Sequence, residues 1–329
     1  MNCFSRALLP TLLLGILPLS AQAADCGSMH LVASLNLEDS DSHRVIVPVS
    51  INGTPRKFLF DTGGAISQIS PEVVKELKLT THSGDISLMD VNGYASNKVV
   101  TIDDFAFGSI KAKNIPFLVA TQAAYDGILT PSRFQNVDVD IDFGPRRLSL
   151  FLDDHCPGKV LYWKAAVLAV VPVTLKNNHF NIDVMVDGHT LHGIIDTGAT
   201  GSFMKASVAH RIFGLTPESP GMEPGGYING DKETPSFRHT FSSLGFEGIA
   251  VANPRVVITP DRTGAHDINN DLKTGSFIQH VDDDMEQPDI IVGMNVLIKL
   301  HIYFATKEKK LYITPAGAPD APSPFALAK

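Results

Sequence analysis

The sequence predicts a mostly β protein made of two homologous β-barrel lobes, related by a pseudo-two-fold axis and carrying short helices. Three observations predict it. Sliding the chain by 135 positions lays VIVPVSINGTPRKFLFDTGGAIS (45–67) over FNIDVMVDGHTLHGIIDTGATGS (180–202) without a gap. Asn52-Gly53 and Asp187-Gly188 fall at matching places in that overlay, and both are strong hairpin signals. In each copy an apolar, strand-like run then ends on Asp-Thr-Gly. A repeat of this kind marks one supersecondary unit copied and varied.

The elements follow in order. Arg6, the Leu-rich core Ala7 to Leu19 and the small-x-small tail Ala21-Gln22-Ala23 read as a cleavable signal peptide over residues 1–23. That apolar core is too short to span a bilayer, and the run Ala165 to Val171 is stopped by Pro172, so no membrane anchor is expected. The expected mature protein is periplasmic or secreted. Residues 24–152 form the N-terminal lobe, 153–164 a connector, 165–316 the C-terminal lobe and 317–329 a flexible tail. Within the first lobe, Val45 to Ser50 and Pro55 to Phe60 read as a hairpin, and SPEVVKELKL (70–79) as a helix with Ser70 as N-cap and Pro71 at its first position. The second lobe repeats the hairpin over Ile182 to Val186 and Thr190 to Ile195.

Further on, DGILTPSRFQNVDVDIDFGPRRLSL (126–150) matches DIIVGMNVLIKLHIYFATKEKKLYI (289–313), now offset by 163. The second half therefore carries about 28 extra residues, placed between Arg255 and Pro288. Cys3 leaves with the signal peptide, so Cys26 and Cys156 remain as an even pair in an oxidising compartment. A bond between them is expected, closing a loop of about 130 residues; the chain-entropy model values such a closure at roughly 4–5 kcal/mol.

A formal charge of −8 excludes a basic face for nucleic acid or an anionic membrane. The two Asp-Thr-Gly sites carry the chemistry. A single copy could be an aspartate capping a turn, with glycine supplying the left-handed residue. Two copies in register ask for more. If the lobes pack about a two-fold axis, Asp61 and Asp196 meet, and two carboxylates that close share one proton and titrate as a unit. Such a pair can hold a water, deprotonate it with the ionised member and protonate the substrate with the other. No cofactor is needed, and no metal is expected.

On these residues, with the downstream Ile291-Val292-Gly293 followed by Met-Asn-Val-Leu, the sequence resembles a retropepsin-like aspartic protease of the single-chain, two-lobed bacterial type. The resemblance implies that Asp61 and Asp196 are the catalytic pair. It implies that Thr62 and Thr197 donate hydrogen bonds across the lobes, and that Gly63 and Gly198 let the backbone turn close to the acids. Gly64 and Ala199 come next and offer no hydroxyl, which predicts activity at weakly rather than strongly acidic pH. The first copy of the downstream element reads Ile128-Leu129-Thr130, with a bulkier residue where the second has Gly293. Flaps over the substrate are expected at Gly93-Tyr94 and Gly226-Tyr227, hairpin turns at nearly equal distances beyond each aspartate.

The expected function is an aspartic endopeptidase acting on peptide or unfolded protein, monomeric because one chain carries both halves. The competing readings are a non-catalytic peptide-binding protein of the same fold and a protease limited to self-processing or to one envelope protein. If activity is restrained, the extra segment of lobe two is the expected lid. His189 and His192 read as exposed turn histidines on different sides of a hairpin. Asp138, Asp140 and Asp142, alternating with Val139, Ile141 and Phe143, read as a strand with a wet face, and Asp282-Asp283-Asp284 as a solvated loop.

Overall fold

The computed structural model describes residues 27–38, 40, 43–64, 66–89, 95–121, 124–131, 137–176, 179–227, 235–261 and 288–317. The signal segment, Cys26, Gly93, Tyr94, the lobe-two insertion with Asp282, Asp283 and Asp284, and the tail beyond Gly317 lie outside those residues.

The expected mostly β, two-lobed architecture is present as three sheets. The first lobe's sheet runs, in hydrogen-bonded order, Ile46–Ile51, Thr54–Phe60, Gly127–Leu129, Gln68–Ile69, Ile110–Val119, Ala95–Phe107, Thr81–Met89. The second lobe's sheet repeats the central part of that order. His179–Val186 pairs with His189–Ile195, which pairs with Ile290–Val292, which pairs with Ser202–Lys205. The hairpin turns form as the sequence asks: Asn52 and Gly53 have φ of 49° and 81°, Asp187 and Gly188 of 42° and 83°, the left-handed pair of a two-residue turn.

The strand ending on each Asp-Thr-Gly pairs in parallel with the short strand of the second repeated element. Phe60 lies opposite Leu129, and Ile195 opposite Val292. Parallel pairing in a buried position explains why FLF and II are apolar without alternation. Phe58 and Phe60 enter the main core while Leu59 joins a small separate cluster with Ile46, Leu118 and Ile128 on the other face. The helix Pro71–Glu76 starts where expected, with Ser70 Oγ accepting from Val73 N at 3.1 Å. Its counterpart, Ala206–Phe213, ends on left-handed Gly214 (φ 67°).

The third sheet joins the halves. Its order is Leu31–Asn36, Arg147–Leu152, Val137–Asp142, Leu300–Ala305, Lys310–Pro315, Ala169–Pro172, three strands from each half. The central pair crosses the repeat, with Asp142 opposite His301 and Val139 opposite Phe304. The lobes are therefore continuous through a shared sheet, which stitches the ends of the two repeats together.

This sheet corrects the wet face expected for Asp138, Asp140 and Asp142. All three are buried, at 0%, 1% and 6% exposure. The connector covers them: Tyr162 and Trp163 lie over the sheet, and Trp163 stacks on His301 with ring centroids 3.9 Å apart. Buried charge must find partners, and here it does. Asp138 accepts from Thr306 N and Oγ1, both at 2.8 Å, and from Tyr303 at 3.1 Å, and it lies 2.6 Å from His155 Nε2. Asp140 accepts from the Tyr162 hydroxyl and lies 2.6 Å from His301 Nε2. Asp142 accepts from Gly144 N and Gly317 N, and its Oδ2 is 3.3 Å from His301 Nδ1.

Candidate active site

Asp61 and Asp196 terminate equivalent strands, and both are buried, at 0% and 1% exposure. Their backbones are held alike: Asp61 N donates to Leu129 O and Asp196 N to Val292 O, each at 3.0 Å. Each carboxylate accepts from the turn that follows it, Asp61 Oδ1 from Gly63 N at 2.9 Å, and Asp196 Oδ1 from Gly198 N at 2.8 Å and Ala199 N at 3.0 Å.

The glycines face the opposite lobe. A methyl built on Gly63 would stand 2.3 Å from Asp196 Cγ, and one on Gly198 would stand 2.6 Å from Asp61 Cγ. No side chain fits at either place, so the third letter of each motif makes room for the other motif's first. The threonines complete the exchange. Thr62 Oγ1 donates to Ile195 O at 2.8 Å and accepts from Thr197 N at 3.0 Å; Thr197 Oγ1 donates to Phe60 O at 2.6 Å and accepts from Thr62 N at 3.1 Å. Four buried hydrogen bonds thus cross the axis in reciprocal pairs, and net gains near 1 kcal/mol each make the junction stiff.

The two carboxyls also hydrogen-bond to each other. Burial first, then the charge of Asp61 and that hydrogen bond, hold Asp196 well above the usual carboxylate range, against the opposing N–H groups of Gly198 and Ala199. One proton therefore stays on the pair to higher pH than an isolated aspartate would keep it. A group that holds a proton beside a group that can take one is the arrangement that water-mediated acid–base chemistry needs.

A family model described as aspartyl protease matches residues 47–132 and 182–296, more than half of the chain and both copies of the motif. The chain belongs to the aspartyl protease family. A search of curated proteins finds no match to it.

Both family segments begin in the hairpin before the aspartate and end just past the second repeated element, so they match the repeat read from the sequence. Of the residues singled out there, the structure brings Asp61, Thr62, Gly63 and Gly64 together with Asp196, Thr197, Gly198 and Ala199. Gly226 and Tyr227 end the strand Glu223–Tyr227. They are not the tip of a turn, because Glu223–Tyr227 continues as a strand to the pair Tyr227 and Pro235. Residues 228–234 lie outside those described. Cys156 is among the described residues. Its expected partner, Cys26, lies outside the described residues, next to Gly27, which bridges to His155. His189 and His192 are exposed, and His192 Nδ1 pairs with Asp183 at 2.8 Å.

Two supporting residues went unassigned in the sequence although the overlay aligned them. Ser67 Oγ accepts from Thr130 N at 3.0 Å, and Ser202 Oγ accepts from Gly293 N at 3.0 Å. Each serine ties the strand beneath an aspartate to the segment after the motif. Their signal was their survival at matching positions in a diverged repeat.

Proposed function

We propose that the protein is an aspartic endopeptidase that hydrolyses peptide bonds with a water held and activated between Asp61 and Asp196. The observation that carries this reading is the reciprocal fit of two buried Asp-Thr-Gly turns, with one carboxyl kept protonated beside the other. In the one-proton state the ionised carboxylate takes a proton from the water as it attacks the peptide carbonyl. The protonated carboxyl gives its proton toward the substrate, first at the carbonyl oxygen and then, after redistribution, at the leaving nitrogen. No covalent enzyme intermediate forms. Thr62 and Thr197 hold the two turns at fixed separation; Gly63 and Gly198 allow that separation to be short.

The substrate class is peptide or unfolded protein, which can lie extended across the pair. The compartment is periplasmic or extracellular, on the signal-like residues 1–23, and a Cys26–Cys156 bond fits that oxidising setting. Incubation of the mature protein with a peptide library from pH 3 to pH 7, beside Asp61→Asn and Asp196→Asn, tests the reading. Cleavage is expected at weakly acidic pH and in the wild type alone; cleavage surviving either substitution, or a rate maximum below pH 3, would contradict it.

A further inference from the structure

The two motif turns are alike in sequence and differ in how they are fastened. In lobe two the fastening is backbone. Met294 N donates to Ala199 O at 2.8 Å and Asn295 N to Thr200 O at 3.2 Å, drawing the segment after Gly293 onto the turn after Asp196. The approach is so close that a methyl built on Gly293 would stand 2.0 Å from Gly201 O and 2.8 Å from Ala199 O. Backbone oxygens cannot step aside as a side chain can, so only glycine fits there.

Lobe one cannot repeat this. The residue aligned with Met294 is Pro131, which has no N–H to give. The residue aligned with Gly293 is Thr130, buried at 0% exposure. Its side chain stands where lobe two has a backbone contact, and the turn has made way for it. A methyl built on Gly64 would lie 2.7 Å from Thr130 Cγ2 and 3.3 Å from both Cγ and Oδ2 of Asp61. Lobe two has the reverse pair, Ala199 on the turn and glycine on the strand end. The carbon has moved from one side of the contact to the other. Thr130 is also tied sideways: its Oγ1 is 3.2 Å from Ser67 Oγ, the hydroxyl that accepts its own N–H. In lobe two the corresponding Ser202 hydroxyl donates to Asn295 Oδ1 at 2.8 Å instead.

We propose that Thr130 is a positioning residue for Asp61: with Gly64 and Ser67 it forms a side-chain lock that holds the first motif turn where lobe two uses Met294 N, Ala199 O and Gly293. Thr130 acts through the placement of the Asp61 carboxylate. The bulk that breaks the motif in lobe one is then part of the site, and the catalytic pair is fastened differently on its two sides. This inference rests on the reading of Asp61 and Asp196 as the reacting pair.

The test is a double-substitution cycle of wild type, Gly64→Ala, Thr130→Gly and Gly64→Ala/Thr130→Gly. Unfolding temperature, kcat, KM and the titration of 13C-labelled aspartate carboxyls would be read for each. Gly64→Ala places its methyl against Thr130, and Thr130→Gly leaves the turn unsupported. Each is expected to lower kcat by about 10- to 100-fold with KM little changed, the usual cost of a small misplacement at a reacting centre. Thr130→Gly is also expected to move the titration of the pair. The double variant recreates the pairing of Ala199 with Gly293, so it is expected to exceed Gly64→Ala in both kcat and unfolding temperature. Additive losses in the double variant, or a wild-type kcat and an unmoved titration in Thr130→Gly, would overturn the proposal. Should Gly64→Ala fail to fold, Thr130→Ser decides, since it keeps the hydroxyl on Ser67 and loses the methyl beside Gly64. An intermediate kcat and titration are expected, and wild-type values for both would overturn the lock. A wild type without turnover would remove the protease reading alone, because the unfolding cycle and the carboxyl titration still judge Thr130.

Discussion

The protein buries carboxylates in two places and treats them in opposite ways. At the joint between the lobes, Asp138, Asp140 and Asp142 are surrounded by Thr306, Tyr303, Tyr162, His155 and His301. At the motif turns, Asp61 and Asp196 are set against each other, and burial and mutual repulsion push a proton onto the pair. Burial is equal in the two places; compensation is not. An acid supplied with donors and a cation is a structural tie, whereas an acid facing another acid is a reagent held in an unfavourable state. The tyrosines agree with this division. Burial, then the charge of the nearest aspartate, raises the phenols of Tyr162 and Tyr303 far above their ordinary value, so both stay protonated as donors.

The same substitution should therefore have opposite effects at the two sites. Asp138→Asn removes the anion that His155, Tyr303 and Thr306 converge on. Breaking such a buried pair costs about 3–5 kcal/mol, which lowers the unfolding temperature by ~10 °C in a chain of this size. Thermal unfolding at pH 6 measures it, and a loss under 2 °C would reduce the joint to ordinary packing.

Asp196→Asn should raise stability at neutral pH. The folded pKa of Asp196 lies above its unfolded value, so the folded state favours the protonated form. That stability is present below the unfolded pKa and is lost as pH rises through the folded one. A side chain that cannot ionise escapes the loss, and a rise of about 2–4 °C at pH 7, absent at pH 3, is expected. Unfolding temperatures at the two pH values check the sign.

His155 gives the smallest effect, and it runs through a different window. Burial of the ring opposes its charge, but the hydrogen bond to Asp138, the Cys156 carbonyl and the charges of Asp138 and Glu308 outweigh it, so its pKa is raised above the usual imidazole value. The stability from a raised imidazole is complete below its unfolded pKa near 6.5 and is lost as pH climbs through the folded value. Wild type should lose a few degrees between pH 6 and pH 8. His155→Gln, less stable throughout, should show a shallower slope over that interval, and an equal slope would assign the titration to another group.

Much of this was legible in the sequence because the repeat is legible. Two Asp-Thr-Gly turns at a constant offset, Asn-Gly and Asp-Gly hairpins at matching places, and the capped helix at Ser70 are all local patterns with local causes. What escaped depends on distant segments. The period of two along Val137–Asp142 tells which residues share a face, but not what covers it. The cover is the connector, and a strand from the other repeat supplies His301. Thr130 likewise reads as a defect until Gly64 is seen to stand aside for it. Gly226 and Tyr227 lie on a paired strand, where the glycines had signalled a turn.

The central claim is that Asp61 and Asp196 act as one reagent, and kcat in Asp61→Asn, Asp196→Asn and the double variant tests it most directly. Groups that act as a unit lose their whole effect when either is removed. Each single variant should fall by about 10²–10⁴-fold, the range for positioned acid–base groups, and the double variant should be no slower than the slower single. Losses that multiply in the double variant, or a single variant with wild-type turnover, would show two independent carboxylates and contradict the account.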